Sequence, residues 1–91
     1  MKTLLVRISG KVQGVWYRGW TVETAKGLGL AGWVRNRADG TVEALFHGPE
    51  AAVEAMLIAC RGGPPSARVD DLRVTPVAAP DQPGFSQKPS L

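Results

Sequence analysis

Residues 32–46, GWVRNRADGTVEALF, contain two short β-prone runs on either side of an Asp-Gly pair. The first run is Gly32–Asn36, the second is Thr41–Phe46, and the connection between them ends in Asp39-Gly40. An Asp-Gly pair between such runs is a strong hairpin signal because glycine accepts the positive φ that a tight turn needs. The segment therefore predicts a β-hairpin in the middle of the chain.

A helical pattern lies on each side of this hairpin. Before it, apolar residues of Tyr17–Leu28 recur at helical spacing, and Gly27 marks the end of the pattern. After it, Pro49 suits the first position of a helix, and the apolar residues within 53–60 recur at i, i+3, i+4 and i+7. Two amphipathic helices are therefore expected, and the second ends near Cys60.

Strand patterns occupy the two ends of the chain. Residues Thr3–Ser9 alternate with a period of two, and a fourth strand is expected within Ala67–Thr75. The tail, residues 76–91, is weakly specified, although a short strand near Phe85 is compatible with its sequence. The order strand, helix, strand, strand, helix, strand is that of a ferredoxin-like βαββαβ sandwich. We therefore predict an α+β fold in which two helices cover one face of an antiparallel sheet.

The composition is that of one small globular domain. Of the 91 residues, 44% are hydrophobic and 21% are charged, so we expect residues 1–91 to form a single domain. A single cysteine argues against a disulfide framework and any multi-cysteine metal site. Arg7 interrupts the apolar run at the amino terminus, and no stretch is long enough to cross a bilayer. We expect a cytoplasmic protein that acts as a monomer.

The predicted topology brings two separate segments to one edge of the sheet. The first and second strands run parallel with the third between them, so their carboxyl ends lie roughly 10 Å apart, at two inter-strand spacings. The loop Gly10–Arg18 follows the first strand, and Asn36 ends the second. We therefore expect the loop and Asn36 to meet.

The loop Gly10–Arg18, GKVQGVWYR, has the chemistry of an anion site. It leads into the amino terminus of a helix, where free N–H groups and the helix dipole attract negative charge. Gly10 and Gly14 allow successive amides to turn inward, and Arg18 adds a guanidinium fork that matches two phosphate oxygens. Residues 1–37 also contain seven basic residues and one acidic residue. A glycine turn with a surface arginine accounts for the spacing about equally well.

Other chemistry-bearing residues have simpler explanations. His47 has no second histidine or cysteine beside it, so we expect it at the surface or in a turn. Cys60 lies on the apolar face of the second helix, and the tryptophans are expected to pack in the core. Residues 27–32, GLGLAG, match GxGxxG but follow a helix, which is the reverse of a dinucleotide site. No cofactor and no metal are predicted.

Two ordered motifs make the chain resemble the acylphosphatase family. The pattern G-x-V-Q-G-V-x-(F/Y)-R is met by Gly10–Arg18, and the pattern G-W-V-(K/R)-N-x3-G-x-V with a following Gly-Pro is met by residues 32–49. The resemblance extends over about residues 4–69. It departs at the tail, where the family tends to end on an aromatic, an aliphatic and a basic residue. This chain has Phe85-Ser86-Gln87-Lys88 and then Pro89, which leaves the pairing of its last strand open.

The resemblance implies hydrolysis of the carboxyl-phosphate bond of acyl phosphates, giving carboxylate and inorganic phosphate without a metal or cofactor. It implies that Arg18 binds the phosphoryl group, that Asn36 positions the attacking water, and that loop amides cradle the phosphate. The phosphate-binding loop would consist of Gln13, Gly14, Val15, Trp16, Tyr17 and Arg18. The ligand would be a small acyl phosphate, with no nucleic acid or membrane partner.

Two other functions fit the same fold. An RNA-binding domain would carry aromatic residues on the exposed face of its central strands, but the first and third strands offer only Phe46, near an end. A regulatory or carrier domain would bind acyl phosphates without turning them over. Release of phosphate from acetyl or benzoyl phosphate in the presence of a chelator distinguishes an enzyme from both.

Overall fold

The computed structural model describes residues 1–91 and contains two helices and five strands. In chain order they are β1 (Lys2–Lys11), α1 (Tyr17–Gly27), β2 (Ala31–Asn36), β3 (Val42–Gly48), α2 (Glu50–Gly62), β4 (Arg68–Pro76) and β5 (Phe85–Gln87). The first six elements follow the predicted order and confirm the ferredoxin-like α+β fold. Neither helix is both long enough and apolar enough to span a membrane.

The sheet has the strand order β4-β1-β3-β2-β5. Its first four strands pair antiparallel, as predicted, whereas β5 pairs parallel to β2. The sheet is therefore mixed, where the sequence indicated antiparallel pairing alone. The tail is held beside β2, at the outer edge of the sheet, because Phe85 is buried and its ring stacks on Phe46. The ring centroids are 5.7 Å apart.

β1 is longer than its alternating pattern indicates. It continues past Ser9 to Lys11, and its pairing with β4 shifts register between Ser9 and Gly10. Gly10 has a φ of 128°, and a Cβ atom there would collide with the carbonyl oxygen of Arg68. The glycine therefore permits a bulge that a side chain would block, and the connection from β1 to α1 is shorter than predicted.

Both helices pack on the same face of the sheet, and the core lies between these two layers. Leu4, Val6 and Ile8 of β1 are buried there, which explains the period of two in the sequence. The fully buried residues of α2 are Val53, Met56 and Cys60. Their spacing confirms the amphipathic pattern of this helix and the core position expected for its cysteine.

The prediction that the tryptophans pack in the core is wrong. Trp16 is 61% exposed, Trp20 packs only at the edge of the core, and Trp33 lies on the sheet face that the helices leave open. Trp33 precedes the buried Val34 on β2, so strand geometry directs it to the opposite face. The buried aromatic ring of α1 belongs to Tyr17, whose hydroxyl donates a hydrogen bond to a backbone carbonyl of α2.

Candidate active site

β1 and β2 run parallel, so they bring the loop and Asn36 to the same end of the sheet. A cleft of about 140 Å³ opens there. The residues lining this cleft come from the loop, the first turn of α1, the end of β2 and the end of β5. They are Val12, Gly14, Trp16, Tyr17, Arg18, Gly19, Asn36 and Gln87. The structure therefore brings Arg18 and Asn36 together, and it adds Gln87, which sequence reasoning missed because the pairing of the tail was open.

The loop enters α1 through two residues with positive φ. The angle is 74° at Gly14 and 65° at Trp16, and a left-handed conformation costs a non-glycine residue about 1–2 kcal/mol. Trp16 is the N-cap of α1, and its carbonyl accepts a hydrogen bond from the N–H of Trp20 at 3.0 Å. No side chain caps this helix end, so the N–H groups of its first turn are available to an anion.

Arg18 is the second residue of α1 and has no carboxylate within salt-bridge distance. The first turn of the helix contains no acidic residue. A positive charge at a helix amino terminus opposes the helix dipole, so this position is locally unfavourable for an arginine. A bound anion between the guanidinium and the helix N–H groups would remove that cost.

Asn36 is the last residue of β2 and carries an unused hydrogen-bond acceptor. Its Oδ1 atom is buried and has no hydrogen-bond partner, whereas its backbone carbonyl accepts the N–H of Leu91 at 3.0 Å. A buried polar atom left unsatisfied costs about 1–3 kcal/mol. Asn36 lines the cleft, so a turn of its carboxamide would bring this oxygen to a water molecule held there.

Gln13 and Val15 are loop residues that do not line the cleft. The Nε2 atom of Gln13 donates hydrogen bonds to the carbonyl oxygens of Arg37, at 2.8 Å, and Thr41, at 2.9 Å. Both carbonyls belong to the connection between β2 and β3, so the side chain ties the loop to the hairpin that carries Asn36. Val15 packs against the core. Only their backbone amides remain candidates for contact with a phosphate.

Three further arginines lie on the open face of the sheet. Arg7, Arg35 and Arg37 converge on Glu43, at 3.6, 2.8 and 3.3 Å between nitrogen and oxygen. Burial alone would raise the pKa of the Glu43 carboxyl. The hydrogen bond and charge of Arg35, followed by the charges of Arg37 and Arg7, outweigh burial and hold that pKa below its usual value. This carboxylate is ionised at neutral pH and forms ion pairs with all three arginines.

The remaining chemistry-bearing residues lie away from the cleft. His47 is on β3, where its Nδ1 atom is hydrogen-bonded to the hydroxyl of Thr3 at 2.6 Å. Burial raises the pKa of the Cys60 thiol to about 12, so it stays protonated and a poor nucleophile at neutral pH. No three His, Cys, Asp or Glu side chains come close enough together to hold a metal ion.

Comparison with known proteins gives consistent matches over nearly the whole chain. The acylphosphatase family model matches residues 4–87. A protein named acylphosphatase from Rhizorhabdus wittichii strain RW1 is 54% identical over 86 residues, which cover 94% of this chain and 87% of the relative. The crystal structure of acylphosphatase from Bacillus subtilis aligns with a TM-score of 0.91 at 37% identity, covering 97% of this chain and 99% of that one.

A similar fold also occurs inside a much larger protein. The structure of full-length HypF in its phosphate- and nucleotide-bound form aligns with a TM-score of 0.90 at 27% identity. The alignment covers 98% of this chain but 12% of the HypF chain. The family model reaches past the motif-bearing residues into β5, and several relatives of similar length share about half of their residues with this protein. The chain therefore belongs to the acylphosphatase family of enzymes.

Proposed function

We propose that this protein hydrolyses small acyl phosphates at the cleft, releasing a carboxylate and inorganic phosphate. The observation that carries the proposal is the pairing of two unsatisfied groups in one small cleft. Arg18 lacks a carboxylate partner, and the Oδ1 atom of Asn36 lacks a hydrogen-bond donor. Membership of the acylphosphatase family supports the same reaction.

Arg18 and the loop backbone bind the phosphoryl group in this proposal. The guanidinium offers two parallel N–H groups that match two phosphoryl oxygens. Backbone N–H groups of residues 13–18 supply further donors, and the amino terminus of α1 adds its partial positive charge. These groups are in place before substrate arrives, so they stabilise the negative charge of the transition state without reorganising.

Asn36 positions the attacking water. Its Oδ1 atom accepts a hydrogen bond from the water, which directs the water oxygen at phosphorus in line with the leaving carboxylate. The new bond forms between the water oxygen and phosphorus as the bond from phosphorus to the acyl oxygen breaks. The conjugate acid of the leaving carboxylate has a pKa of about 4–5, so no general acid is required.

The proton of the attacking water goes to an oxygen of the substrate's own phosphate. The residues lining the cleft include no aspartate, glutamate or histidine that could take it. The pH profile of turnover should therefore follow the ionisation of the phosphate. A further essential group that titrates near neutral pH, independently of the phosphate, would contradict this step.

The test of the proposed function is phosphate release from acetyl and benzoyl phosphate in the presence of a chelator. We expect metal-independent turnover by the unmodified protein. Binding of acyl phosphates without turnover would instead identify a regulatory or carrier domain.

We further propose that the protein acts as a monomer with no nucleic acid or membrane partner, which sedimentation and binding measurements can check. We also propose that it is cytoplasmic, which cell fractionation can check.

A further inference from the structure

Trp16 combines an exposed ring, a left-handed backbone and a position outside the core. Its side chain is 61% exposed although it is the largest apolar group lining the cleft. Its backbone is held in the left-handed region, which costs about 1–2 kcal/mol for a residue with a side chain. Its indole also does not belong to the hydrophobic core or to the residues packed against it. Core packing therefore does not explain why the ring lies where it does.

Gly19 allows the indole to rest on the first turn of α1. A Cβ atom at Gly19 would collide with Nε1 and Cε2 of the Trp16 ring. Both residues line the cleft, and the Nε1 side of the ring rests against the helix at Gly19. The left-handed backbone of Trp16 thus directs the ring, and the lack of a side chain at Gly19 gives the ring room.

The acyl group of a bound substrate must lie toward the mouth of the cleft. The phosphoryl group occupies the side of Arg18 and Asn36, and the leaving carboxylate departs on the face opposite the attacking water. Among the residues that line the cleft, only Trp16 and Gln87 have exposed side chains. Of these two, only the indole offers an extended apolar surface.

We propose that the indole of Trp16 is the acyl-binding wall of the cleft and makes the enzyme selective for acyl phosphates with flat apolar acyl groups. This inference rests on the proposed hydrolysis and goes beyond it to the class of substrate. An aromatic acyl group packs against the indole and removes apolar surface of both rings from water, whereas an acetyl group covers little of the ring. The contact is the same in the ground state and the transition state, so it acts on KM rather than on kcat.

The test compares benzoyl phosphate with acetyl phosphate in the unmodified protein and in Trp16→Asn. Asparagine tolerates the left-handed conformation, so the loop keeps its shape while the ring is lost. We expect the ratio of kcat/KM for benzoyl over acetyl phosphate to fall by about 10-fold, mainly through KM for benzoyl phosphate. The affinity for inorganic phosphate, measured by competitive inhibition, should stay within about twofold, as expected for a contact made only to the acyl group.

Gly19→Ala provides a second variant that leaves the indole in the sequence. The new methyl group occupies the space of the ring, so the ring must move, and the same ratio should fall. Ile58→Gln is the matched control, because Ile58 is 74% exposed on α2 and does not line the cleft. We expect the control to leave the ratio unchanged.

If the unmodified protein is active, three outcomes in Trp16→Asn would overturn the inference. An equal loss for both substrates in Trp16→Asn would show that the residue shapes the loop, and a matching loss of phosphate affinity would show the same. Unchanged kcat/KM values for both substrates would show that the acyl group lies elsewhere. The unmodified protein is measured first, and an absence of turnover there would remove the proposed function itself, together with this inference.

Discussion

The three arginines on the open face of the sheet and the single arginine of the cleft differ in whether they pair with a carboxylate. On the open face of the sheet, Arg7, Arg35 and Arg37 lie within 3.6 Å of the buried carboxylate of Glu43. At the sheet edge, Arg18 lies in a cleft whose lining contains no acidic residue. The number of positive charges alone does not mark a candidate anion site. At this cleft, an arginine without a carboxylate partner also lies beside the free N–H groups of a helix amino terminus.

The largest effect is expected at Arg18. Arg18→Ala removes a charged bidentate donor from the transition state and should reduce turnover of benzoyl phosphate by at least about 100- to 1,000-fold. Arg18→Lys keeps the charge but not the planar fork, so it should recover little of the activity. Steady-state phosphate release measures both variants. Arg68→Ala is the control, because Arg68 is exposed on β4 and pairs with Asp70 outside the cleft. If the control loses as much activity as Arg18→Ala, the cleft is not the site.

Asn36→Ala tests the second unsatisfied group of the cleft. Removal of the carboxamide leaves the attacking water without its acceptor, and misplacement of a reacting group can cost about 100-fold in rate. We expect turnover to fall on that order while the affinity for inorganic phosphate stays nearly intact. Single-turnover kinetics together with phosphate inhibition separates the two quantities. A collapse of phosphate affinity would show that Asn36 holds the phosphoryl group rather than the water.

Removal of the Glu43 charge should lower the stability of the fold and leave turnover nearly unchanged. Glu43→Gln leaves three guanidinium groups facing each other around a neutral amide. Breaking a fully buried ion pair costs about 3–5 kcal/mol, but these arginine side chains are 24–35% exposed, so we expect about 2 kcal/mol in the free energy of unfolding. Urea unfolding at pH 7 measures the loss. Turnover should stay within about twofold, because a charge pair outside the site contributes nothing to transition-state stabilisation.

The stability lost in Glu43→Gln should depend on pH. Because the folded protein holds the pKa of Glu43 below its usual value, the carboxylate stabilises the fold above the pKa of the unfolded chain, about 4.3. That stabilisation disappears as the pH falls through the lower folded pKa. The difference in unfolding free energy between the unmodified protein and Glu43→Gln should therefore shrink from pH 7 to pH 3. A difference that stays constant or grows on acidification would contradict the role of the charge.

The smallest effect is expected at Gln13, whose side chain joins the loop to the hairpin. Gln13→Ala leaves the carbonyl oxygens of Arg37 and Thr41 without this donor, which should cost about 1 kcal/mol of stability. The backbone amide remains, so turnover should fall by less than about 10-fold. Thermal unfolding and steady-state kinetics on the same sample measure both effects. A loss as large as that of Arg18→Ala would show that the side chain contacts substrate.

Local pattern was enough to predict most of the framework and the meeting of Arg18 and Asn36 at one cleft. The alternation in β1, the helical spacing in α2 and the Asp-Gly turn each depend on residues a few positions apart, and the structure confirms them. The order of these elements then implied that Arg18 and Asn36 lie at one sheet edge, where the structure has them sharing a cleft. Such features follow from the sequence because strand and helix geometry repeat at fixed short periods.

Features that depend on distant partners were not predictable in the same way. The parallel pairing of β5 depends on Phe85 reaching Phe46, and this pairing is what brings Gln87 to the cleft. The ion pairs of the open-face arginines depend on Glu43, which lies on β3. The exposure of Trp16 depends on its left-handed backbone and on the bare surface of Gly19.

The amino-acid sequence alone therefore specified the elements, their order and the residues that meet at the sheet edge. Packing of the folded chain settled which arginines pair with a carboxylate, which aromatic ring stays exposed and where the tail lies. The physical reason is range. Backbone periodicity and turn chemistry act within a few residues, whereas charge compensation and ring packing join residues that come together only when the sheet has formed.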